Sequence, residues 1–250
     1  MSLKFHEIVE AQHRILNPFT LEKLHLLGEI CEVERGAAQL DLACGKGEML
    51  CQWAARHGVT GVGVDLSPVF LKAARARADQ LDVADRLAFV QGEAEAYMKH
   101  CTDRFDIVSC IGATWIGGGL AGTLDLMKPA LRSAASLLLV GEPFWIQPPP
   151  EEAYVPLSGT KDAYSSLEGT LDRFERAGLE LIEMVLANHD SWDRYEASQW
   201  KTGSDWLRAH PDDPDAPELA DWIVANRRVY LKYGRRYFGW GVFALRQSAR

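Results

Sequence analysis

From about Ala38 onward, short apolar runs alternate with segments in which apolar residues recur at helical spacing. Such alternation is typical of a largely parallel β-sheet whose two faces are covered by helices. The pattern therefore predicts an α/β fold. We place seven strands at residues 39–43, 60–65, 87–91, 105–110, 136–141, 180–187 and 237–245.

A chain of 250 residues, of which 47% are hydrophobic, can bury one large core, so we predict a single domain over residues 1–250. Two short helical patterns precede the first strand and form a predicted N-terminal helical cap at residues 1–35. Residues 36–187 and 237–250 form the predicted core. Between the sixth and seventh strands a hairpin turn would suffice, so residues 188–236 are predicted to be a helical insertion.

Capping residues predict several helix boundaries. Thr20 is the expected N-cap of the second helix, and Ser67, with a proline after it, caps the helix after the second strand. Gly58 ends the helix after the first strand in the left-handed conformation. Residues 165–168 form a predicted capping box that opens a helix ending at Gly178.

Composition argues against several classes of partner. The chain has 27 Lys and Arg residues against 35 Asp and Glu, a net charge of -8, whereas nucleic-acid binding depends on clustered cations. No apolar run approaches the roughly 18 to 20 residues that cross a bilayer, and no signal peptide opens the chain, so a cytoplasmic protein without membrane contact is expected. The five cysteines form no C-x-x-C pair and are odd in number, which predicts neither disulfides nor a metal site.

The segment Leu-Asp-Leu-Ala-Cys-Gly-Lys-Gly-Glu at residues 40–48 is the strongest local signal. Asp41 stands at the end of the first predicted strand, and Gly45 and Gly47 open the helix that follows. Glycines let the backbone turn sharply and approach a ligand while free N–H groups point outward. We therefore expect a ligand at this turn.

A second carboxylate, Asp65, ends the second predicted strand. In a doubly wound sheet the binding crevice lies at the carboxyl ends of the strands, where the strand order reverses, so Asp41 and Asp65 should meet there. The oxygens of Asp65 can accept both hydroxyls of a ribose. A dinucleotide-binding loop would have a third glycine where Leu50 stands, and Asp41 would repel a pyrophosphate. An amino-acid ammonium near Asp41 removes that conflict.

Together these residues resemble the class I S-adenosylmethionine-dependent methyltransferase family, over about residues 40–141 and in the seventh strand. The resemblance implies a Rossmann-like, doubly wound seven-stranded sheet with an antiparallel last strand. It also implies S-adenosylmethionine as cofactor and S-adenosylhomocysteine as product. The cofactor-binding residues it implies are Asp41, Ala43, Cys44, Gly45 and Gly47 for the methionine part, Asp65 for the ribose, Leu66, Gly92, Glu93 and Ala94 for the adenine, and Cys110 and Ile111 beneath the sulfonium.

Each of these residues also has a plainer interpretation. Asp41 and Asp65 could be helix-capping or solvated acids, and Glu93, where the family more often has aspartate, could be an acid at a helix N-terminus. Cys110 could be core packing. The glycine loop could hold another nucleotide.

Methyl transfer from a sulfonium displaces an already activated carbon, so alignment and exclusion of water matter most and a general base is optional. Glu142, directly after the fifth predicted strand, is the candidate catalytic base, unless it only shapes the pocket. Trp115 and Trp145 are predicted to bind the acceptor, with simple packing as the alternative.

His13 and Trp192 complete the predicted acceptor-binding set, and His6 and His189 could reach the same crevice. The insertion is rich in aromatic residues, which indicates a lid over the acceptor, a core of its own or a dimer contact. These residues are Trp192, Tyr195, Trp200, Trp206 and Trp222.

The predicted function is methyl transfer from S-adenosylmethionine to an unidentified small molecule, by a monomer or homodimer. A non-catalytic protein that senses this cofactor is the first alternative. A nicotinamide-dependent oxidoreductase is the second.

Overall fold

A seven-stranded sheet forms the centre of the computed structural model, which describes residues 2–249. Its strands are β1 (Ala38–Leu42), β2 (Thr60–Asp65), β3 (Leu87–Gln91), β4 (Ile107–Ile111), β5 (Leu137–Trp145), β6 (Leu179–Leu186) and β7 (Phe238–Gln247). They lie in the order β3-β2-β1-β4-β5-β7-β6. The order of the strands therefore reverses beside β1, with β2 and β3 on one side of it and β4 and the later strands on the other. Only β7 runs antiparallel to its neighbours, β5 and β6. The predicted doubly wound sheet with an antiparallel last strand is confirmed.

Helices cover both faces of this sheet. Short 3₁₀ turns lie at Ala84–Arg86, Thr114–Gly117 and Lys128–Ala130, and a π-helix lies at Tyr230–Gly234. The α-helices among residues 2–249 are α1 (Leu3–Val9), α2 (Leu21–Ile30), α3 (Glu48–His57), α4 (Pro68–Gln80), α5 (Ala94–His100), α6 (Leu120–Met127), α7 (Glu151–Ser158), α8 (Leu167–Arg176), α9 (His189–Ala209), α10 (Ala216–Val229) and α11 (Arg235–Tyr237).

Predicted strand positions agree with the structure to within a few residues, except at the end of β5. We expected this strand to stop at Gly141, but it continues to Trp145 because its last residues pair with β7, as far as Trp145 opposite Phe238. Glu142 therefore lies inside the sheet, opposite Gly241, instead of in a loop beyond it.

Most of the predicted caps are confirmed. The Thr20 hydroxyl accepts from the Lys23 amide, Ser67 caps α4, and Gly58 ends α3 with φ 69°. At α8 the cap is Ser166, which accepts from the Gly169 amide. A capping box beginning at residue 165 was therefore wrong by one position.

Successive side chains of a strand point to opposite faces of the sheet and pack in two separate cores. On one face Leu138 and Val140 of β5 pack with α6 and α8, and on the other Leu137 and Leu139 pack with α2 and α3. Trp53 of α3 is fully buried in this second core. Because apolar residues occupy both faces of β5, the strand reads as a continuous apolar run, as expected of a strand covered on both sides.

The two N-terminal helices have different partners. Helix α2 joins the second sheet core through Leu24 and Leu27. Helix α1 packs on the insertion, where Phe5 and Val9 share a small core with Leu219 and Ile223 of α10. No helix within residues 2–249 combines the length and apolar character of a membrane span.

Candidate active site

A cavity of about 770 Å³ opens at the carboxyl ends of β1, β2 and β4, beside the reversal of strand order. Its far wall is the segment 10–20 between α1 and α2, which we call the strap. Ligand crevices of doubly wound sheets lie at this position. The fold therefore brings the first two predicted strand ends to the place where a nucleoside ligand was expected.

The glycine loop is shaped by left-handed residues and fastened by Asp65. Ala43, Gly45 and Gly47 have φ of 55°, 55° and 64°. One carboxylate oxygen of Asp65 accepts from the Gly45 amide at 2.8 Å, and the other accepts from the Ser67 amide at 2.8 Å. Burial raises the pKa of Asp65, and these two hydrogen bonds, which stabilise the carboxylate, oppose the rise. Asp65 thus connects the loop after β1 to the start of α4.

Asp41 lies deeper in the same end of the cavity. It is 4% exposed and accepts a hydrogen bond of 2.6 Å from the Ser109 hydroxyl. Burial raises the pKa of this carboxyl to about 7, the Ser109 hydrogen bond opposes the rise, and the charge of Asp65 adds to it. A buried carboxylate without a cation partner favours binding of a cationic ligand group.

We expect the affinity for S-adenosylhomocysteine to weaken about tenfold for each pH unit below about pH 7. The physical reason is that Asp41 holds a proton up to about pH 7 in the free protein, whereas an ammonium favours the carboxylate. The same raised pKa makes the unfolding free energy of the free protein fall as pH rises from the unfolded value of Asp41 towards 7.

Calorimetric titration between about pH 5.5 and 7.5 measures this linkage, and Asp41→Asn should flatten it. A dissociation constant of the unmodified protein that does not change over this range would contradict the assigned role of Asp41.

The nucleoside end of the cavity is open and partly apolar. Leu66, in the wall, is 53% exposed, so its side chain offers an apolar surface to a ligand at this end. A Cβ at Gly92 would meet no atom within 4 Å, and Glu93 and Ala94 follow it in the wall. His6 stands edge-on against Phe70, and burial lowers its pKa.

Two residues of the predicted cofactor set lie behind the wall. Gly47 is the N-cap of α3, and a Cβ there would lie 2.7 Å from the ring of Phe89. Cys110 is fully buried in the first sheet core, and burial raises its pKa well above the ordinary range. Both were predicted to bind the cofactor, and the structure places them outside the cavity wall. The other predicted cofactor residues do line it: Asp41, Ala43, Cys44, Gly45, Asp65, Leu66, Gly92, Glu93, Ala94 and Ile111.

Lys46 fastens the strap to the glycine loop. Its ammonium donates to the carbonyls of Glu10, Ala11 and His13 at 2.8, 3.0 and 2.7 Å. Leu16 of the strap then lies directly on Gly45, where an alanine Cβ would be 2.7 Å from Leu16 Cδ1. The loop that faces the ligand is thus covered from above.

A buried carboxylate joins the strap to the insertion. Glu10 is fully buried, and its Oε1 accepts from the Tyr195 hydroxyl at 2.6 Å and from Gln199 Nε2 at 2.7 Å. Its Oε2 lies 2.6 Å from His13 Nδ1. We call Glu10, His13, Tyr195 and Gln199 the Glu10 cluster. Two parts of the chain that are distant in sequence, the strap and helix α9, thus meet around one buried carboxylate.

The other end of the cavity is apolar and closed. Leu27 is fully buried and Trp240 is 3% exposed, and both line the cavity, so this end is shielded from solvent. Its polar atoms include the Asn17 amide, whose Nδ2 donates to the Ile111 carbonyl at 3.2 Å. We call this end the apolar lobe; the residues that line it are Phe19, Leu24, Leu27, Met49, Trp192, Trp240 and Val242.

Among the predicted acceptor residues, Trp192 and Trp115 line the cavity, Trp115 with 70% of its surface exposed. His13 does not, because its ring stacks on Tyr195 and its Nδ1 faces Glu10. Trp145 was also expected there, but it is buried between Tyr154, Tyr164 and Phe238.

Glu142 was predicted to be the catalytic base, and the structure places it outside the cavity wall. It is 1% exposed and accepts a hydrogen bond of 2.6 Å from the Thr114 hydroxyl, while burial raises its pKa to about 7. The reason is the longer β5, which holds Glu142 within the sheet. Contact with an acceptor in the cavity would require it to leave this buried position.

Several wall residues were not predicted at all: Arg14, Asn17, Phe19, Lys46 and Trp240. The aromatic content of the insertion did indicate a lid, and Trp192 and Tyr195 do line the cavity, whereas Trp200, Trp206 and Trp222 pack in the small core beside α1.

Known proteins resemble this chain in sequence and in fold. A family model described as a methyltransferase domain matches residues 40–133. A crystal structure of a SAM-dependent methyltransferase from Geobacter sulfurreducens, in complex with S-adenosyl-L-homocysteine, shares 44% identity, covers 98% of each chain and superposes with a TM-score of 0.93.

Two relatives in sequence extend this comparison. The uncharacterized protein YjhP of Escherichia coli (strain K12) is 43% identical over 241 residues, which are 95% of this chain and 96% of YjhP. The ubiquinone/menaquinone biosynthesis C-methyltransferase UbiE of Enterobacter sp. (strain 638) is 30% identical over 80% of this chain and 68% of its own length. With its glycine loop, paired aspartates and strand order, the chain belongs to the class I S-adenosylmethionine-dependent methyltransferase family.

Proposed function

We propose that this protein transfers a methyl group from S-adenosylmethionine to a small-molecule acceptor. The observation that carries the proposal is that a single cavity joins a polar end, with Asp41 and Asp65, to a closed apolar lobe. A donor and an acceptor can therefore meet in one space. The net charge of -8 supports a small molecule over nucleic acid.

The residues at the polar end fit this cofactor. Asp41 has no cation partner among residues 2–249 and suits the methionine ammonium, and Asp65 has further lone pairs for ribose hydroxyls. The exposed Leu66 and the open surface at Gly92 suit a flat base. Relatives support the choice, since the Geobacter sulfurreducens enzyme was crystallised with S-adenosyl-L-homocysteine.

When bound, the cofactor supplies a methyl carbon that is already activated by its sulfonium. The chain's own residues have to align the acceptor and keep out water. Lys46 and the Glu10 cluster hold the strap and α9 over the cavity, and the apolar lobe offers an acceptor a dry, fitted surface. UbiE is named for methylation in ubiquinone and menaquinone biosynthesis, which supports an apolar acceptor here as well.

Thermal melting with S-adenosylmethionine, S-adenosylhomocysteine and NAD in parallel tests the cofactor. At one hundred times its dissociation constant, a ligand stabilises the folded protein by about 2.7 kcal/mol. For 250 residues this corresponds to a rise of roughly 5 to 10 °C in the melting midpoint. We expect the rise with both adenosyl compounds and not with NAD. Methyl-labelled cofactor and a panel of acceptors then test transfer, and binding without transfer to any of them would favour a non-catalytic sensor.

A further inference from the structure

We propose that one exposed helical face of the insertion docks on the surface of an anionic lipid membrane. The face runs along helix α10, the π-helix that follows it and the start of α11, and we call it the basic face. Its members are Val224, Arg227, Arg228, Leu231, Lys232 and Arg235. Docking is independent of the function proposed above, because it involves neither the cofactor nor turnover.

Helical spacing places these six residues on one side of the segment. Counted from Val224, the other five follow at offsets of 3, 4, 7, 8 and 11, and residues at such offsets share a face of a helix. All six are exposed, whereas Leu219, Ile223 and Tyr230 of the same segment are buried. The basic face is thus the solvent side of a segment whose opposite side is packed in the protein.

The charge of this face is opposite to that of the whole chain. Residues 227–236 contain five Lys and Arg residues and no Asp or Glu, in a protein with a net charge of -8. Arg235 pairs with Asp193 at 3.1 Å, and the other three cations of the face form no ion pair within residues 2–249. An exposed acid, Asp221, precedes the face by three residues. Clustered cations of this kind attract anionic lipid headgroups.

Apolar side chains are interleaved with the cations and are also open to solvent. Val224 is 53% exposed and Leu231 is 62% exposed. Helix α7, which contacts the π-helix where the Tyr233 hydroxyl donates to Glu152, adds the exposed Val155. A membrane surface offers anionic headgroups together with an apolar layer beneath them, whereas a nucleic acid backbone would satisfy the cations alone. The mixture of side chains therefore favours a lipid surface.

The buried side of the same segment belongs to the core that closes the apolar lobe. Tyr230, the neighbour of Leu231, packs in the second sheet core, which also contains Trp192 and Trp240 of the lobe. The basic face and the apolar lobe are therefore connected through one shared core. Docking would bring a lobe that suits an apolar acceptor to a membrane, in which apolar molecules concentrate.

Docking of this kind needs no membrane-spanning helix. The expectation that the protein makes no membrane contact followed from the lack of an apolar run of spanning length. The basic face is a different feature, because helical spacing brings its apolar and cationic residues together although they are separated along the chain.

Flotation of the unmodified protein with lipid vesicles tests the proposal. At about 50 mM salt, we expect vesicles with about 30% phosphatidylglycerol in phosphatidylcholine to bind it about tenfold more tightly, or better, than pure phosphatidylcholine vesicles. Raising the salt to about 500 mM should weaken this binding about threefold or more, because salt screens the attraction. No binding to the anionic vesicles at the lower salt, or equal binding to both kinds of vesicle, would overturn the proposal.

A matched pair of double variants tests the charge of the basic face. Arg228→Glu with Lys232→Glu should weaken binding to the anionic vesicles about tenfold or more. Lys72→Glu with Lys99→Glu is the control, because these exposed lysines of α4 and α5 give the same change in net charge. The control should bind within about threefold of the unmodified protein. Equal losses in the two double variants would show a general effect of net charge and contradict a specific face. Melting with S-adenosylhomocysteine shows whether each variant is folded.

A second pair tests the apolar part of the face. Leu231→Ser should weaken binding to the anionic vesicles about threefold or more, because less apolar surface enters the lipid. Leu26→Ser removes a leucine of α2 that is 44% exposed and should change binding by less than about twofold. If both variants bind equally well, the contact is purely electrostatic and the proposed insertion into lipid is wrong.

Other occupants of the face give different results. A DNA duplex of about 20 base pairs that binds the protein when anionic vesicles do not would assign the face to nucleic acid. A dimer in sedimentation velocity that Leu231→Ser converts to monomers would assign it to a second copy of the chain. Either result would overturn the proposal. Vesicle binding is measured without cofactor, so this proposal and the proposed function can fail separately.

Discussion

Replacing Asp65 with alanine is expected to weaken the binding of S-adenosylhomocysteine by about 10- to 150-fold, which corresponds to about 1.5 to 3 kcal/mol of hydrogen bonding to a charged group. The effect has two sources. The variant loses the carboxylate proposed to hold the ribose, and it also loses the acceptor of the Gly45 and Ser67 amides, which keeps the glycine loop in place. Isothermal titration calorimetry measures the change directly.

Asp79→Ala is the matched control, because Asp79 is an exposed aspartate on the neighbouring helix α4. Its affinity should stay within about twofold of the unmodified protein, as expected for a surface substitution. If Asp65→Ala bound the ligand as well as Asp79→Ala does, the nucleoside would have to lie elsewhere in the cavity.

Replacing Glu10 with alanine should lower the free energy of unfolding by about 2 to 4 kcal/mol, because buried donors lose their acceptor. Tyr195 and Gln199 both donate to this fully buried carboxylate. In a chain of 250 residues, this corresponds to a fall of roughly 5 to 15 °C in the melting midpoint. Affinity for S-adenosylhomocysteine should fall as well, since the strap is no longer joined to α9.

Glu29→Ala supplies the comparison for Glu10. Glu29 pairs with Arg56 at 2.6 Å, but its side chain is 53% exposed, and such pairs contribute about 0 to 1 kcal/mol. Glu10→Gln keeps the volume and one acceptor oxygen and should recover part of the loss. Equal melting midpoints for Glu10→Ala and Glu29→Ala would show that the Glu10 cluster does not hold the strap.

The parts of the molecule that depend on local chemistry could be predicted from the sequence. Alternating apolar runs marked the strands, and Asp41, Gly45 and Asp65 could be placed together because carboxyl ends of parallel strands meet at one edge. Thr20, Gly58 and Ser67 followed from capping alone. These inferences need only a few neighbouring residues and a rule of sheet topology.

The acceptor side depends on contacts between distant residues, which local patterns do not contain. Glu10 looks like an ordinary helical surface acid, and it is buried only because Tyr195 and Gln199, on a helix more than 180 positions away, donate to it. Glu142 was misplaced because the length of β5 is set by pairing with β7 near the other end of the chain. Trp240 enters the lobe through the same pairing.

The insertion leaves the sheet after Leu186 and returns before Phe238, and Leu186 pairs with Gly241 across adjacent strands. Its two ends are therefore neighbours, and the helices between them can be lengthened, shortened or exchanged while the ladder of the sheet stays the same. Related proteins can thus keep the strands and loops at the polar end of the cavity and change their acceptor by exchanging this insertion, which supplies Trp192 and Tyr195.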